Sequence, residues 1–85
     1  MRLDTTRMTW QELDGEAVVL DLASSTYFSV NRSGTILLGL LREESTEQDL
    51  VTALLREFDT AGANDVTADV AAFVETLRTR DLLLD

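Results

Sequence analysis

The spacing of apolar residues changes period once, near Asn31, and that change sets the order of elements the chain can form. Before it, Thr6 to Leu13, Glu16 to Ala23 and Thr26 to Val30 are short segments rich in Val, Thr and aromatic residues, the composition of β-strands. After it, apolar residues recur at three and four positions. Ile36, Leu37, Leu40 and Leu41 form one stripe, Leu50, Val51, Leu54, Leu55 and Phe58 the next, and Val66, Val70, Phe73, Val74 and Leu77 the last. The pattern predicts an α+β fold, with a three-stranded antiparallel sheet over about residues 6–30 followed by three α-helices over about 32–80.

Local signals refine this outline. Asp14-Gly15 is the strongest two-residue hairpin signal, because both turn positions need positive φ and these residues tolerate it. A two-residue turn sets Trp10 opposite Val19 and sends Leu13, Val18, Leu20 and Leu22 to the other face. Ala17-Val18-Val19-Leu20 is apolar throughout, which predicts a central strand covered on both faces, with Trp10 packing on Val19 and covering the second face. The turn around Ala23-Ser24-Ser25 leaves the facing of the third strand open, and Phe28 and Val30 are expected to face the helices. The first helix is expected to begin near Arg32 or Ser33. Ser45-Thr46-Glu47-Gln48 reads as a capping box in which Ser45 accepts from the helix start and Gln48 reaches back. Thr60 to Asn64 reads as a loop, Arg78 and Arg80 suit the end of the third helix, and Leu82-Leu83-Leu84 closes on the core.

Composition narrows the chemistry. The chain has 85 residues, enough for a single domain spanning 1–85, and its 45% hydrophobic and 27% charged content is that of a globular domain. It lacks Cys and His, which removes disulfides, zinc ligands, thiol nucleophiles and imidazole catalysis; neither catalytic residues, nor a metal site, nor a cofactor is expected. Adjacent acids such as Glu43-Glu44 at a helix end read as solvated side chains. With 16 Asp and Glu against 7 basic residues, the net charge of -9 disfavours nucleic acid, and the third helix carries Asp69 and Glu75 against Arg78. An acyl carrier is disfavoured too, since no Asp-Ser dipeptide is present and three strands precede the helices. No apolar run approaches the ~20 residues of a membrane span, and Met1 to Arg7 lacks a signal-peptide core, so no membrane partner is expected and the cytoplasm is the expected location. The charge suits a basic polypeptide ligand.

The third strand supplies the functional lead. Meander order leaves the first and third strands as edges, and soluble proteins guard edges with charge or Pro. The first carries Arg7 and Glu12, whereas Ser24 to Val30 has neither charge nor Pro. Either the protein's own helices cover this edge or it accepts another chain by β-augmentation, which includes a homodimer contact through the same strand.

Leu20-Asp21-Leu22, Tyr27-Phe28-Ser29-Val30-Asn31, Ser33-Gly34, the Ile-Leu helix, Asp69-Val70, Phe73-Val74, Leu77 and Leu82-Leu83 together resemble the PqqD-like family, also called the RiPP recognition element. Val30 stands where that family more often has Leu, a conservative departure. The resemblance implies a winged-helix-turn-helix-like fold and a non-catalytic protein that binds the leader segment of a ribosomally made precursor peptide as a strand added to the third strand, in the cleft beside the third helix. It further implies presentation of that precursor to separate enzymes: a leader peptidase and a cyclase in lasso-peptide maturation, or, as the alternative, a radical SAM enzyme served by a PqqD-type chaperone. A domain for acidic protein interaction or dimerisation is the other alternative. Carried onto this chain, Ser25, Thr26, Tyr27, Phe28, Ser29 and Val30 would supply strand pairing, with Tyr27 or Phe28 lining a pocket, and Asp69, Phe73 and Thr76 would face the cleft from the third helix.

Overall fold

The computed structural model describes residues 1–57 and 63–84. Its elements are β1 (Arg2–Leu3), β2 (Met8–Leu13), β3 (Glu16–Asp21), β4 (Thr26–Val30), α1 (Arg32–Leu40), α2 (Glu47–Glu57), α3 (Ala63–Thr79) and β5 (Leu83–Leu84). β2, β3 and β4 form the expected antiparallel meander, and three helices follow it. Phe58 and most of the Thr60 to Asn64 loop lie outside the described residues.

The Asp14-Gly15 turn forms as its chemistry demands, with φ of 55° and 80°, and sets Trp10 opposite Val19 and Leu13 opposite Glu16. The second turn is closed by Asp21, whose carboxylate accepts from the Ala23 and Ser24 amides while Ser25 takes φ of 56°. This turn pairs Val19 with Phe28 and Ala17 with Val30, so Phe28 and Val30 face the helices as expected.

Coverage of the sheet differs from expectation. Ala17 and Val19 are buried against the helices, but Val18 is 43% exposed, Leu13 72% and Leu22 47%. The helices lie on the side of Ala17 and Val19, with α1 packed on β3 and β4, so β3 is covered on one side only, and the second face carries Leu13, Val18 and Tyr27 exposed and Leu20 half-buried. Trp10 lies on the helix side beside Val19, with the Arg42 guanidinium 4.8 Å over its ring, and covers no part of the open face.

Three local expectations are also corrected. The buried stripe of α1 is Gly34, Leu37, Leu38 and Leu41, while Leu40 is exposed; the sheet and α2 select a line rotated from the one the Ile-Leu run suggests. The α2 capping box is Thr46 and Asp49: the Thr46 hydroxyl accepts from the Asp49 amide at 3.1 Å and the Asp49 carboxylate accepts from the Thr46 amide at 2.9 Å. Ser45 is buried and donates instead to the Leu40 and Glu43 carbonyls, which closes the α1–α2 loop. Finally, a second sheet forms where none is predicted, with β1 antiparallel to β5 and Leu3 opposite Leu83. The Leu3 amide also donates to the Leu41 carbonyl and the Ser45 amide to Met1, so both chain ends and the α1–α2 loop are tied together.

The core under the sheet comprises Met8, Ala17 and Val19 from the strands, Leu37, Leu38 and Leu41 from α1, Leu50, Val51 and Leu54 from α2, and Val66, Val70, Val74 and Leu77 from α3, closed by Leu3 and Leu82. Among the described residues no helix is long and apolar enough to cross a membrane. Nor do three Asp or Glu residues there gather in a way that could hold a metal ion.

Candidate functional cleft beside β4

Asn31 ends β4 and begins α1. Its side-chain oxygen accepts from the Gly34 amide at 3.0 Å and from the Ser33 hydroxyl at 2.9 Å, while its carbonyl accepts from the Thr35 amide and hydroxyl. The cap turns the chain sharply, so the first turn of α1 sits against the end of β4. Gly34 is buried there, and a Cβ on it would lie 3.1 Å from both Phe73 Cε1 and Val30 Cβ. Glycine is what lets α1, β4 and α3 meet this closely.

The junction floors a cavity of about 300 Å³ between α1 and α3. Leu37, Leu54, Ala72 and Phe73 supply its apolar surface, and Asn31, Ser33, Asp69 and Thr76 its polar one. Asp69, Phe73 and Thr76 thus line one cavity, as their helical spacing predicts. Phe73 also touches the core, so one side chain serves both packing and the cleft wall. Asn31, Ser33, Gly34, Leu37, Leu54 and Ala72 were not singled out from sequence as cleft residues. A glycine in the first turn of a predicted helix was the available signal, because glycine there is costly unless something approaches closely.

β4 itself divides by side-chain direction. Phe28 and Val30 are half-buried on the helix side, while Tyr27 is 75% exposed on the opposite face, pointing away from the cleft. Thr26 to Val30 are strand, and Ser25 lies in the preceding turn. β4 takes its backbone pairing from β3 alone: among the described residues no other backbone group hydrogen-bonds to Thr26 through Val30. The outer edge of β4 is therefore uncovered by the protein's own backbone, but none of Thr26 to Val30, Tyr27 and Phe28 included, lines the cavity, which begins at Asn31 just past the strand's end. Arg80, just beyond α3, places its guanidinium 4.3 Å over the Phe28 ring, a residue–residue contact that sequence spacing could not supply.

The family described as coenzyme PQQ synthesis protein D (PqqD) matches residues 16–83, from β3 into β5. No curated protein matches the chain. Two solved structures are similar to it. One is TbiB1 in complex with the TbiA(beta) leader peptide, with a TM-score of 0.84 and 25% identity over 100% of both chains. The other is lasso peptide synthetase B1 complexed with the leader peptide, with a TM-score of 0.80 and 24% identity over 99% of this chain and 96% of that one; the latter is a likeness of fold.

Proposed function

The chain belongs to the PqqD family, and from that premise we propose that it is a non-catalytic protein that captures the leader of a ribosomally made precursor peptide. The leader adds as a strand to the outer edge of β4 and lies in the cleft between β4 and α3. The bound precursor is then presented to a leader peptidase and a cyclase in lasso-peptide maturation. The observation that carries this reading is the pairing of an uncharged strand edge, open along Thr26 to Val30, with a cavity of about 300 Å³ walled by Asp69, Phe73 and Thr76. That the similar structure TbiB1 is a complex with a leader peptide supports it.

In this binding mode the backbone of Thr26 to Val30 supplies register and affinity, and side chains on the helix side supply selectivity. Phe28 and Val30 contribute side chains; Tyr27 and Ser29 contribute backbone, since their side chains face away. Ser25 sets the direction from which the strand enters. The net charge of -9 favours encounter with a basic leader, so affinity should fall as salt rises.

The test is fluorescence polarisation of a labelled leader, taken from the precursor encoded beside the gene, titrated with the full chain. Saturable binding is expected. Phe28→Ala should weaken it by about 1 to 3 kcal/mol, the range of a modest hot spot, while Tyr27→Ala leaves it within about 0.5 kcal/mol. Equal loss in both folded variants would show that the strand is read from the other face. The family match favours one second reading, presentation of a precursor to a radical SAM enzyme; co-purification with such an enzyme rather than with a peptidase would select it.

A further inference from the structure

The wall that α3 presents to the cleft is electrically polar from end to end. Asp69, Phe73, Thr76 and Arg80 follow one another at intervals of four, three and four residues. At about 100° per residue, eleven residues complete three turns to within about 20°, so Asp69 and Arg80 share one side of the helix about 16 Å apart along its axis. Helical hydrogen bonding continues far enough to hold that geometry, since the Arg80 amide donates to the Thr76 carbonyl. Asp69 and Thr76 line the cavity, and Arg80, outside that lining, lies over the Phe28 ring on the helix side of β4. Neither the Asp69 carboxylate nor the Arg80 guanidinium has an ion-pair partner within 4 Å among the described residues. In a chain with 16 acids and 7 cations, an arginine parked on an aromatic ring rather than on a carboxylate is a group left available.

The two ends also map onto β4 in a definite sense. The Phe73 ring and the Val30 Cβ both lie against Gly34 at the C-terminal end of β4, and Arg80, later in the chain, lies over Phe28, two residues earlier in β4, so the two contacts run in opposite senses along α3 and β4. A strand added antiparallel to β4, the more stable pairing, would run parallel to α3, meeting Asp69 first and Arg80 last. At about 3.3 Å per residue, 16 Å is about five residues of strand.

We propose that Asp69 and Arg80 together fix the direction and register of the bound segment by selecting an extended peptide with a basic side chain about five residues N-terminal to an acidic one. This inference rests on the groove reading above and adds a charge order to it. It makes Arg80 a specificity-determining residue and requires a carboxylate in a ligand that net charge alone would predict to be uniformly basic. Pairing in the wrong direction or slipped by several residues would place like charges together, which is how an otherwise uncharged edge could reject alternatives.

Display of random 12-residue peptides against the full chain tests this, with Phe28→Ala as a control for groove binding. Peptides enriched by the wild type and lost with Phe28→Ala are expected to carry Lys or Arg four to six residues before Asp or Glu. For one such peptide, neutralising its acid should cost about fivefold in Kd against the wild type, the upper end for an exposed ion pair, and nothing against Arg80→Gln. The double variant Asp69→Arg with Arg80→Asp should invert the enriched order. Groove-binding peptides without that charge order, or an acid whose loss matters equally in Arg80→Gln, overturn the charge register and leave strand capture standing. Failure to enrich any peptide that depends on Phe28 overturns both.

Discussion

Val18 and Val19 are adjacent, identical in type and on the same strand, yet Val19 is wholly buried and Val18 is 43% exposed. The difference lies in what the rest of the chain does with the two faces of the sheet. One face packs on α1 and joins the core that the three helices share; the other holds Leu13, Val18, Leu22 and Tyr27 with no layer over them among the described residues. A run that is apolar at every position reports strand formation. Which of its faces is covered depends on elements far away in sequence.

Three substitutions probe that contrast, in descending order of effect. Val19→Asp would bury a carboxylate at a fully enclosed position in the apolar core, a loss of about 3 to 5 kcal/mol, and should abolish the cooperative thermal transition. A retained transition in that variant would show that the helix layer is looser than the packing of Leu38 and Val70 implies. Gly34→Ala sits where the covered face opens into the cleft. The added Cβ at 3.1 Å from Phe73 and Val30 forces one of them aside, so about 1 to 3 kcal/mol of stability should be lost in urea titration. Leader affinity should fall with it, because Gly34 and Phe73 both line the cavity. Stability lost with affinity intact would separate that junction from the binding surface. The smallest effect belongs to Val18→Asp, which should cost about 1 kcal/mol or less, the span of strand propensities at a solvated position. A larger loss there, growing with protein concentration, would instead mean that the open face is covered in solution by another molecule.

Much of the site was legible in the residues. The i, i+4, i+7 spacing of Asp69, Phe73 and Thr76 predicted one face, and they line one cavity. The uncharged β4 predicted an unguarded edge, and its outer side has no backbone partner among the described residues. Its facing was not determined by the strand itself, since the turn before it settles parity: the Asp21 side chain closes that turn, and Phe28 rather than Tyr27 then faces the helices. Arg80 reads from sequence as a helix-end cation, a position the helix dipole already explains. Its stacking on Phe28 joins residues 52 positions apart and has no local signature.

The sequence by itself determined the three strands of the meander, the three helices, the Asp14-Gly15 hairpin and the register that follows from it, because these depend on conformational preferences and side-chain spacing within a few residues. It also determined what chemistry the chain lacks. Only the tertiary structure decided which sheet face is covered, which line of α1 is buried, that β1 pairs with β5, and that Arg80 stacks on Phe28 while Asp69, Phe73 and Thr76 line one cavity. Those outcomes rest on contacts between distant segments, whose geometry is chosen jointly by all the elements that must share one core.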